Sequence, residues 1–160
     1  MTAETATQID YRKNSMGPYT GRITINTRIR AGQILRLRIR ARHYVIDWGD
    51  GILQNRLTHL YLEGGFQRIH IIGERINWLD ISDWNALQIY ITDCDFLARL
   101  WCRGNRLTKL NLINCPFLVY LDCSHNRLDH IQASHLKLLK EVKANDNNLK
   151  IVDFSGCSQL

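Results

Sequence analysis

The stretch LWCRGNRL at residues 100–107 returns as LDCSHNRL at 121–128 and as VKANDNNL at 142–149, which gives a period of 21 residues. The remainder of each unit matches as well. A fixed period of about 20–29 residues indicates a solenoid, in which stacked coils bury a shared core. A solenoid exposes long, regular surfaces and few closed pockets, so the repeat favours binding over catalysis.

Apolar pairs mark two short extended segments in every coil. They recur at steps of ten or eleven residues, at positions 69/71, 79/81, 89/91, 100/102, 110/112, 121/123, 131/133, 142/144 and 152/154. Because side chains alternate along a strand, each pair points inward and the residue between its members points outward. We therefore expect two strands on opposite sides of each coil, stacked on neighbouring coils as parallel strands about 4.8 Å apart.

Three asparagines, Asn105, Asn126 and Asn147, come just after one of these strands in successive coils. An asparagine amide can satisfy loop backbone groups that no strand partner reaches. We interpret the three residues as a structural ladder, with partners in the coils above and below, and not as ligands.

Residues 79–160 resemble the bacterial leucine-rich repeats that read L-x-C-x-x-N-x-L-x-x-L-x-L-x-x-C-x-x-L. Trp84 departs from this pattern, because it stands where the later coils have asparagine. An end coil that is covered by another unit tolerates such a change. The resemblance implies a mainly β solenoid from a bacterial cell-surface or secreted protein.

The five cysteines fall into repeat columns that also accept other apolar residues. Cys94, Cys115 and Cys157 share a column with Leu136, and the column of Cys102 and Cys123 continues with Ala144. Exchange with leucine and alanine indicates small core positions, and side chains stacked in one column have poor geometry for a disulfide. No C-x-x-C motif is present, so we predict free buried thiols, no metal site and no cofactor.

Charge divides the chain in two. Residues 1–57 hold ten Lys and Arg against four Asp and Glu, whereas residues 58–160 hold eleven of each. The whole excess of +6 therefore lies in the first third. No stretch has the ~20 apolar residues of a membrane span, and the first 30 residues lack a signal-peptide core. We expect a polar tail at 1–20, a β unit at 21–75 and the solenoid at 76–160.

The β unit begins with two alternating runs, at 21–29 and 33–42, which predict half-buried strands with a basic outer face. Ala31 and Gly32 between them suit a hairpin turn. The order that follows, Trp48-Gly49-Asp50-Gly51, His59-Leu60-Tyr61 and then Gly65-Phe66, resembles the second half of a PKD-type β-sandwich. The resemblance implies an incomplete sandwich that caps the N-terminal end of the solenoid.

Other chemistry finds little support in the sequence. Asp47 and Asp50 are too few carboxylates for a calcium site, and capping the turn explains them better. Cys123 and His125 are close in sequence, but alternation places the cysteine inside the coil, where it cannot act as a nucleophile. No G-x-S-x-G, P-loop or H-E-x-x-H motif occurs. We predict that the protein is not an enzyme.

The outward positions of the strand before the asparagine ladder are the leading binding candidates. Trp101 is the best single candidate, since exposed Trp, Tyr and Arg contribute most to binding energies. The competing interpretation is a solvated strand face with one stray aromatic. The candidate residues are Asp80, Arg99, Trp101, Arg103, Tyr120, Asp122 and Lys143.

A row of arginines is the second candidate. Guanidinium groups in a row suit phosphate, sulfate or carboxylate groups, but an edge strand protected by charge against aggregation is the explanation that we favour. The residues are Arg36, Arg38, Arg40 and Arg42 on one strand, with Arg22 and Arg28 expected on a neighbouring strand.

The sequence therefore favours a non-catalytic module that binds a protein or glycan through the solenoid face. The alternative is a polyanion-binding protein that uses the arginine face for nucleic acid or acidic polysaccharide, although no nucleic-acid motif accompanies the arginines. Leu160 aligns with Leu118 and Leu139, so the last coil is expected to present an open apolar side that frays or associates with a second copy.

Overall fold

The computed structural model describes residues 20–160, and these form an all-β structure without helices. These residues therefore contain no helix that is long and apolar enough to cross a membrane. The polar tail predicted at 1–20 lies, apart from Thr20, outside the described residues. The strands are β1 (Thr20–Ile29), β2 (Gln33–Arg36), β3 (Arg38–Arg40), β4 (His43–Asp47), β5 (Leu53–Gln54), β6 (Thr58–Tyr61), β7 (Gly65–Glu74), β8 (Trp78–Asp80), β9 (Ala86–Thr92), β10 (Arg99–Trp101), β11 (Tyr120–Asp122), β12 (His130–Gln132), β13 (Glu141–Lys143) and β14 (Ile151–Asp153).

The predicted solenoid of 21-residue coils is confirmed. Strands β8, β10, β11 and β13 begin at Trp78, Arg99, Tyr120 and Glu141, and each pairs in parallel with the next, residue for residue. The chain thus makes about four turns at the predicted spacing. The inward residues Leu79, Leu100 and Leu121 are fully buried. Val142 on β13 is only partly buried and packs against the same core.

The opposite side of the coils is less regular than the repeat predicts. Only β12 and β14 pair there in parallel, and positions 110–112 form no strand. Side chains bridge this stretch instead: Asn114 Nδ2 donates to the carbonyl of Ile91 at 2.9 Å, and a His135 ring nitrogen lies 3.1 Å from the carbonyl oxygen of Leu112. The coils therefore stack through a strand ladder on one side and partly through side-chain contacts on the other.

The N-terminal unit is built on an antiparallel sheet in the order β5-β4-β7-β1-β9. The hairpin predicted between the first two strands is wrong. The turn at Gly32 exists, with φ of 75°, but β1 pairs with β7 and β9 while β2 pairs with β6. Strand β1 is long and carries buried isoleucines such as Ile23 and Ile25, and its two strand partners place it in the interior of the sheet, between β7 and β9.

Two sheets run across the boundary expected near residue 75. Strand β3 adds antiparallel to β8 at the edge of the solenoid sheet, and β9 adds antiparallel to β1. Trp84, the residue that departs from the repeat, is buried here with its ring 5.8 Å from that of Trp48. The first coil therefore replaces an asparagine with a large ring because it packs against the N-terminal unit, not against an earlier coil.

Candidate functional site

The outward side of the sheet β3-β8-β10-β11-β13 forms one surface, which we call the solenoid face. Strand register arranges its side chains in two rows that cross all five strands. The first row is Arg40, Trp78, Arg99, Tyr120 and Glu141, and the second is Arg38, Asp80, Trp101, Asp122 and Lys143.

Three aromatic rings meet at the centre of the solenoid face. The rings of Trp78 and Trp101 lie edge to face with centroids 5.5 Å apart, and the rings of Trp101 and Tyr120 lie 4.8 Å apart. All three side chains are half-buried. Such pairs stabilise a sheet by about 0.5–1.5 kcal/mol each beyond their burial. The competing interpretation of a single stray aromatic does not describe this face, because Trp101 is the middle member of a cluster.

Cationic groups surround this aromatic cluster. Arg38 Nη1 lies 3.3 Å from Oδ2 of Asp80. Within residues 20–160, by contrast, the guanidinium groups of Arg40, Arg99 and Arg103 have no hydrogen-bond or ion-pair partner. Those three groups are exposed and remain free to meet an acidic ligand.

The far edge of the solenoid face is cationic as well. Lys143 Nζ lies 5.7 Å from the ring centroid of Tyr120 and 3.5 Å from Oε1 of Glu141. Both contacts favour the ammonium form, so they raise the pKa of Lys143, with Tyr120 as the larger cause. The lysine therefore keeps its charge at the border of the aromatic cluster.

Two carboxylates on the solenoid face serve the turns that follow their strands. Oδ1 of Asp122 accepts the backbone N–H and the hydroxyl of Ser124 at 3.1 and 2.6 Å, and Asp122 is buried. Oδ1 of Asp80 likewise accepts the N–H of Ser82. Asp122 is therefore a turn cap with little surface left for a ligand, whereas Asp80 remains partly accessible beside Arg38.

The six candidate arginines do not form one row. Arg36 belongs to β2, and Arg38 and Arg40 belong to β3 in a different sheet, with buried Leu37 between the two strands. Arg22 and Arg28 lie on β1, which neighbours neither strand, so the predicted neighbouring-strand arrangement is wrong. The structure instead places the arginines of β3 at the edge of the solenoid face. Arg42 follows β3 and is exposed.

The asparagine ladder is present. Nδ2 of Asn126 donates to the carbonyl oxygens of Cys102 and Cys123 at 2.9 and 3.1 Å, and its Oδ1 accepts the N–H of Leu107 at 3.0 Å. Asn105 and Asn147 repeat this pattern. One detail differs from the prediction: each amide joins its own coil to the preceding one and does not reach the following coil.

The predicted free, buried thiols are confirmed, since all five cysteines are unpaired and buried. Burial raises the pKa of Cys123 to about 12, which keeps that thiol protonated at neutral pH, although His125 is close in sequence. Asp47 caps its turn as predicted, with Oδ1 accepting the N–H groups of Gly49 and Gly51 at 2.8 and 2.9 Å. No group of three potential metal ligands occurs among residues 20–160.

A groove of about 670 Å³ lies beside the ladder and was missed by the sequence reasoning. Arg30, Arg106 and Arg127 line it. A signal was present, because an arginine follows the ladder asparagine in two successive coils. Arg30 carried no such signal, since the contact between its loop and the coils arises only in the folded chain.

Comparison of the chain with family models, with curated proteins and with solved structures found no match. The interpretation of the surface therefore depends on its own geometry. Its main features are an aromatic cluster, three guanidinium groups without a partner among residues 20–160, and a mainly parallel sheet beneath them.

Proposed function

We propose that this chain is a non-catalytic binding module that recognises a protein or glycan through the solenoid face. The observation that carries the proposal is the cluster of Trp78, Trp101 and Tyr120 at the centre of that face. Aromatic rings with a polar edge provide large contact area at small entropic cost, and they stack on sugar rings or on apolar side chains.

The surroundings of the cluster favour an acidic ligand. Arg40, Arg99 and Arg103 have no partner within the described residues, and a guanidinium group pairs with a carboxylate or sulfate through two parallel hydrogen bonds. The sheet beneath is held in register by backbone bonds, so the contact groups are fixed before a ligand arrives, which reduces the entropy lost on binding.

The sequence pattern supports a finer proposal: a leucine-rich-repeat module capped by a PKD-like β unit, in a bacterial cell-surface or secreted protein. The asparagine ladder and the 21-residue coils agree with the first resemblance. Trp48, His59 and Tyr61 agree with the second, because their rings pack together and the Tyr61 hydroxyl donates to the carbonyl of Trp48 at 2.7 Å.

The alternative of polyanion binding through the arginine strand has weaker support. Arg38 is paired with Asp80, and Arg22 and Arg28 lie in another sheet. The arginines of β3 border the aromatic cluster, so the two candidate functions share a surface. Polyanion binding should weaken steeply with salt, whereas binding through aromatic stacking should not.

The indole groups provide a direct test. The chain has four tryptophans: Trp78 and Trp101 lie on the solenoid face, while Trp48 and Trp84 are buried. The protein is first screened against an array of neutral and acidic glycans and against acidic peptides. Each hit is then titrated while the four indole N–H signals are followed by NMR. We expect the signals of Trp78 and Trp101 to shift and those of the two buried indoles to stay.

A matched pair of variants completes the test. Trp101→Ala removes the centre of the cluster and should weaken binding by about 2 kcal/mol or more, as for an interface hot spot. Tyr90→Ala removes an exposed aromatic on β9, which is outside this sheet, and should have no effect. Equal affinity of the Trp101→Ala variant, or shifts confined to other signals, would contradict the proposal.

A further inference from the structure

The groove beside the ladder is a site distinct from the solenoid face. One wall is made by Arg30, in the loop between β1 and β2, and by Gln33, the first residue of β2. The floor is made by the turns of three successive coils. Its volume of about 670 Å³ falls within the range of small-molecule sites, about 300–1,000 Å³. We call it the ladder groove, and Trp101 is not part of it.

The floor of the ladder groove is rigid, and its asparagine amides already have hydrogen-bond partners. Asn105 and Asn126 line it, but each amide is fully engaged in holding two coils together. The backbone N–H of Arg106 donates to the carbonyl of Ala86, and that of Arg127 donates to the carbonyl of Leu107. The two arginines are therefore fixed on neighbouring coils, about 5 Å apart along the stack.

The charge of the groove is unbalanced. Arg30, Arg106 and Arg127 are all exposed, and within residues 20–160 none of their guanidinium groups has an ion-pair or hydrogen-bond partner. Two like charges on adjacent coils repel, and an oxyanion between them removes that repulsion. Since the planar guanidinium group of arginine can bond two oxygens of one oxyanion through two parallel hydrogen bonds, sulfate or carboxylate groups fit this site.

One carboxylate in the groove narrows the ligand class. Asp83 lines it, and the absence of a side chain at Gly104 lets it lie there, because a Cβ at that glycine would fall 1.9 Å from Asp83 Oδ1. Within the described residues the Asp83 carboxylate has no hydrogen-bond partner. It would repel a simple anion but accept hydrogen bonds from hydroxyl groups. A ligand with both anionic groups and hydroxyls satisfies both requirements.

We propose that the ladder groove binds an acidic oligosaccharide, with its sulfate or carboxylate groups on the arginines and its hydroxyls on Asp83. Gln33 provides a further donor, because its Oε1 accepts the N–H of Arg30 at 2.9 Å while its amide NH₂ has no partner within the described residues. The groove shares none of its lining residues with the aromatic cluster of the solenoid face.

Titration calorimetry with defined probes tests this inference. The probes are a heparin-derived hexasaccharide, a hexamer of galacturonic acid, inorganic sulfate and a dodecamer of thymidylate. We expect at least one of the two hexasaccharides to bind more tightly than the thymidylate and the sulfate. The double variant Arg106→Gln/Arg127→Gln should weaken that binding about 100-fold, since each charge-assisted contact is worth roughly a factor of ten or more.

Two further variants make the result specific. The charge-matched control Lys137→Gln/Lys140→Gln removes two exposed cations outside the groove and should leave the affinity within about twofold. The variant Arg106→Lys/Arg127→Lys keeps the charge but loses bidentate geometry, so it should weaken binding by an intermediate factor. It also serves if the glutamine variant proves unstable.

Asp83→Asn separates a sugar from a simple anion. Asparagine tolerates the φ of 61° at this position. Loss of the carboxylate should weaken the hexasaccharide and should strengthen inorganic sulfate. The inference is overturned if neither hexasaccharide binds, if the lysine control weakens binding as much as the arginine variant, if thymidylate binds as tightly, or if Asp83→Asn strengthens every probe equally.

Discussion

The coil at 121–139 and the coil at 142–160 carry the same repeat in two different settings. In the first, Ile131 is 2 % exposed and Leu139 is fully buried; in the second, the equivalent Val152 and Leu160 are 47 % and 52 % exposed. The ladder bonds of Asn126 and Asn147 are nevertheless the same. The repeat thus determines the path of each coil, whereas burial depends on the presence of a neighbour on both sides.

The largest difference should come from removing a buried leucine. We expect Leu139→Ala to lower the free energy of unfolding by about 2–5 kcal/mol, because it leaves a cavity in the shared core. Leu160→Ala removes the same atoms from an exposed position and should change stability by less than about 0.5 kcal/mol. Urea denaturation measures both.

Equal costs in the two leucine variants would break the comparison. They would mean that the outer side of the last coil is covered in solution. Light scattering would then decide whether a second copy covers it, as the predicted self-association requires. A two-fold contact there would bury Leu149, Phe154 and Leu160.

The second difference concerns the ladder. Asn126→Ala leaves buried groups of two coils unpaired, including the N–H of Leu107, and should cost about 1–3 kcal/mol. Asn147 makes the same bonds but is only half-buried, so water can replace part of what Asn147→Ala removes, and the cost should be smaller. Equal losses of melting temperature in the two variants would contradict the expected difference between the coils. An unchanged melting temperature for Asn126→Ala would show that its amide is not structural.

The third difference depends on alkaline pH. Burial raises the pKa of Cys123 to about 12, above the ordinary value of 9.0. Because the unfolded chain releases the proton first, the stability associated with this thiol is complete below pH 9 and is lost as pH rises toward 12. For Cys123 the loss amounts to about 1 kcal/mol by pH 10.

Variants at two repeat positions isolate this effect. Cys123→Ala should remove the part of the stability loss between pH 8 and pH 10 that is due to ionisation of this thiol. Alanine should be tolerated there, because it already occupies the equivalent position 144. Cys157→Ala, in the last coil, should change the pH dependence less, because that thiol is not fully buried. An identical pH dependence in the wild type and the Cys123→Ala variant would exclude thiol ionisation as a cause.

The same contrast explains what could be predicted from the sequence. Period, strand spacing, ladder and buried thiols are local consequences of a repeat. The role of a position such as Asn126 or Cys123 can therefore be inferred from the residues at the equivalent positions of other coils. The N-terminal unit has no such redundancy. The alternating residues of β1 predict a strand but not its partners, because pairing between β1 and β9 depends on contacts between residues 59 to 70 positions apart.

The candidate site follows the same rule. Outward positions such as Trp101 could be predicted from the alternation of the repeat. Strand β3 adds to the edge of the solenoid sheet and brings Arg38 to Asp80. This pairing joins the two units, and it could not be predicted from the repeat. The position of Arg30 in the ladder groove likewise depends on a contact between the two units and could not be predicted. Asp122 shows the opposite error, since outward direction did not imply exposure once Ser124 bonded to its carboxylate.

The smallest expected effect is a difference between two cysteines in their rate of reaction with a thiol reagent. It sharpens the comparison between the two coils without any change in global stability. A thiol reagent should label all five cysteines after denaturation but few in the native protein. Cys157 should react first, because it is the most exposed of the five at 8 % and the coil that carries it has one open side. Cys123 should react only through global unfolding, since coils lie on both sides of it. Mass spectrometry of peptides labelled for increasing times gives the order. If Cys157 and Cys123 react at the same rate, the last coil opens only together with the rest of the stack, and the solenoid is one cooperative unit despite its unequal burial.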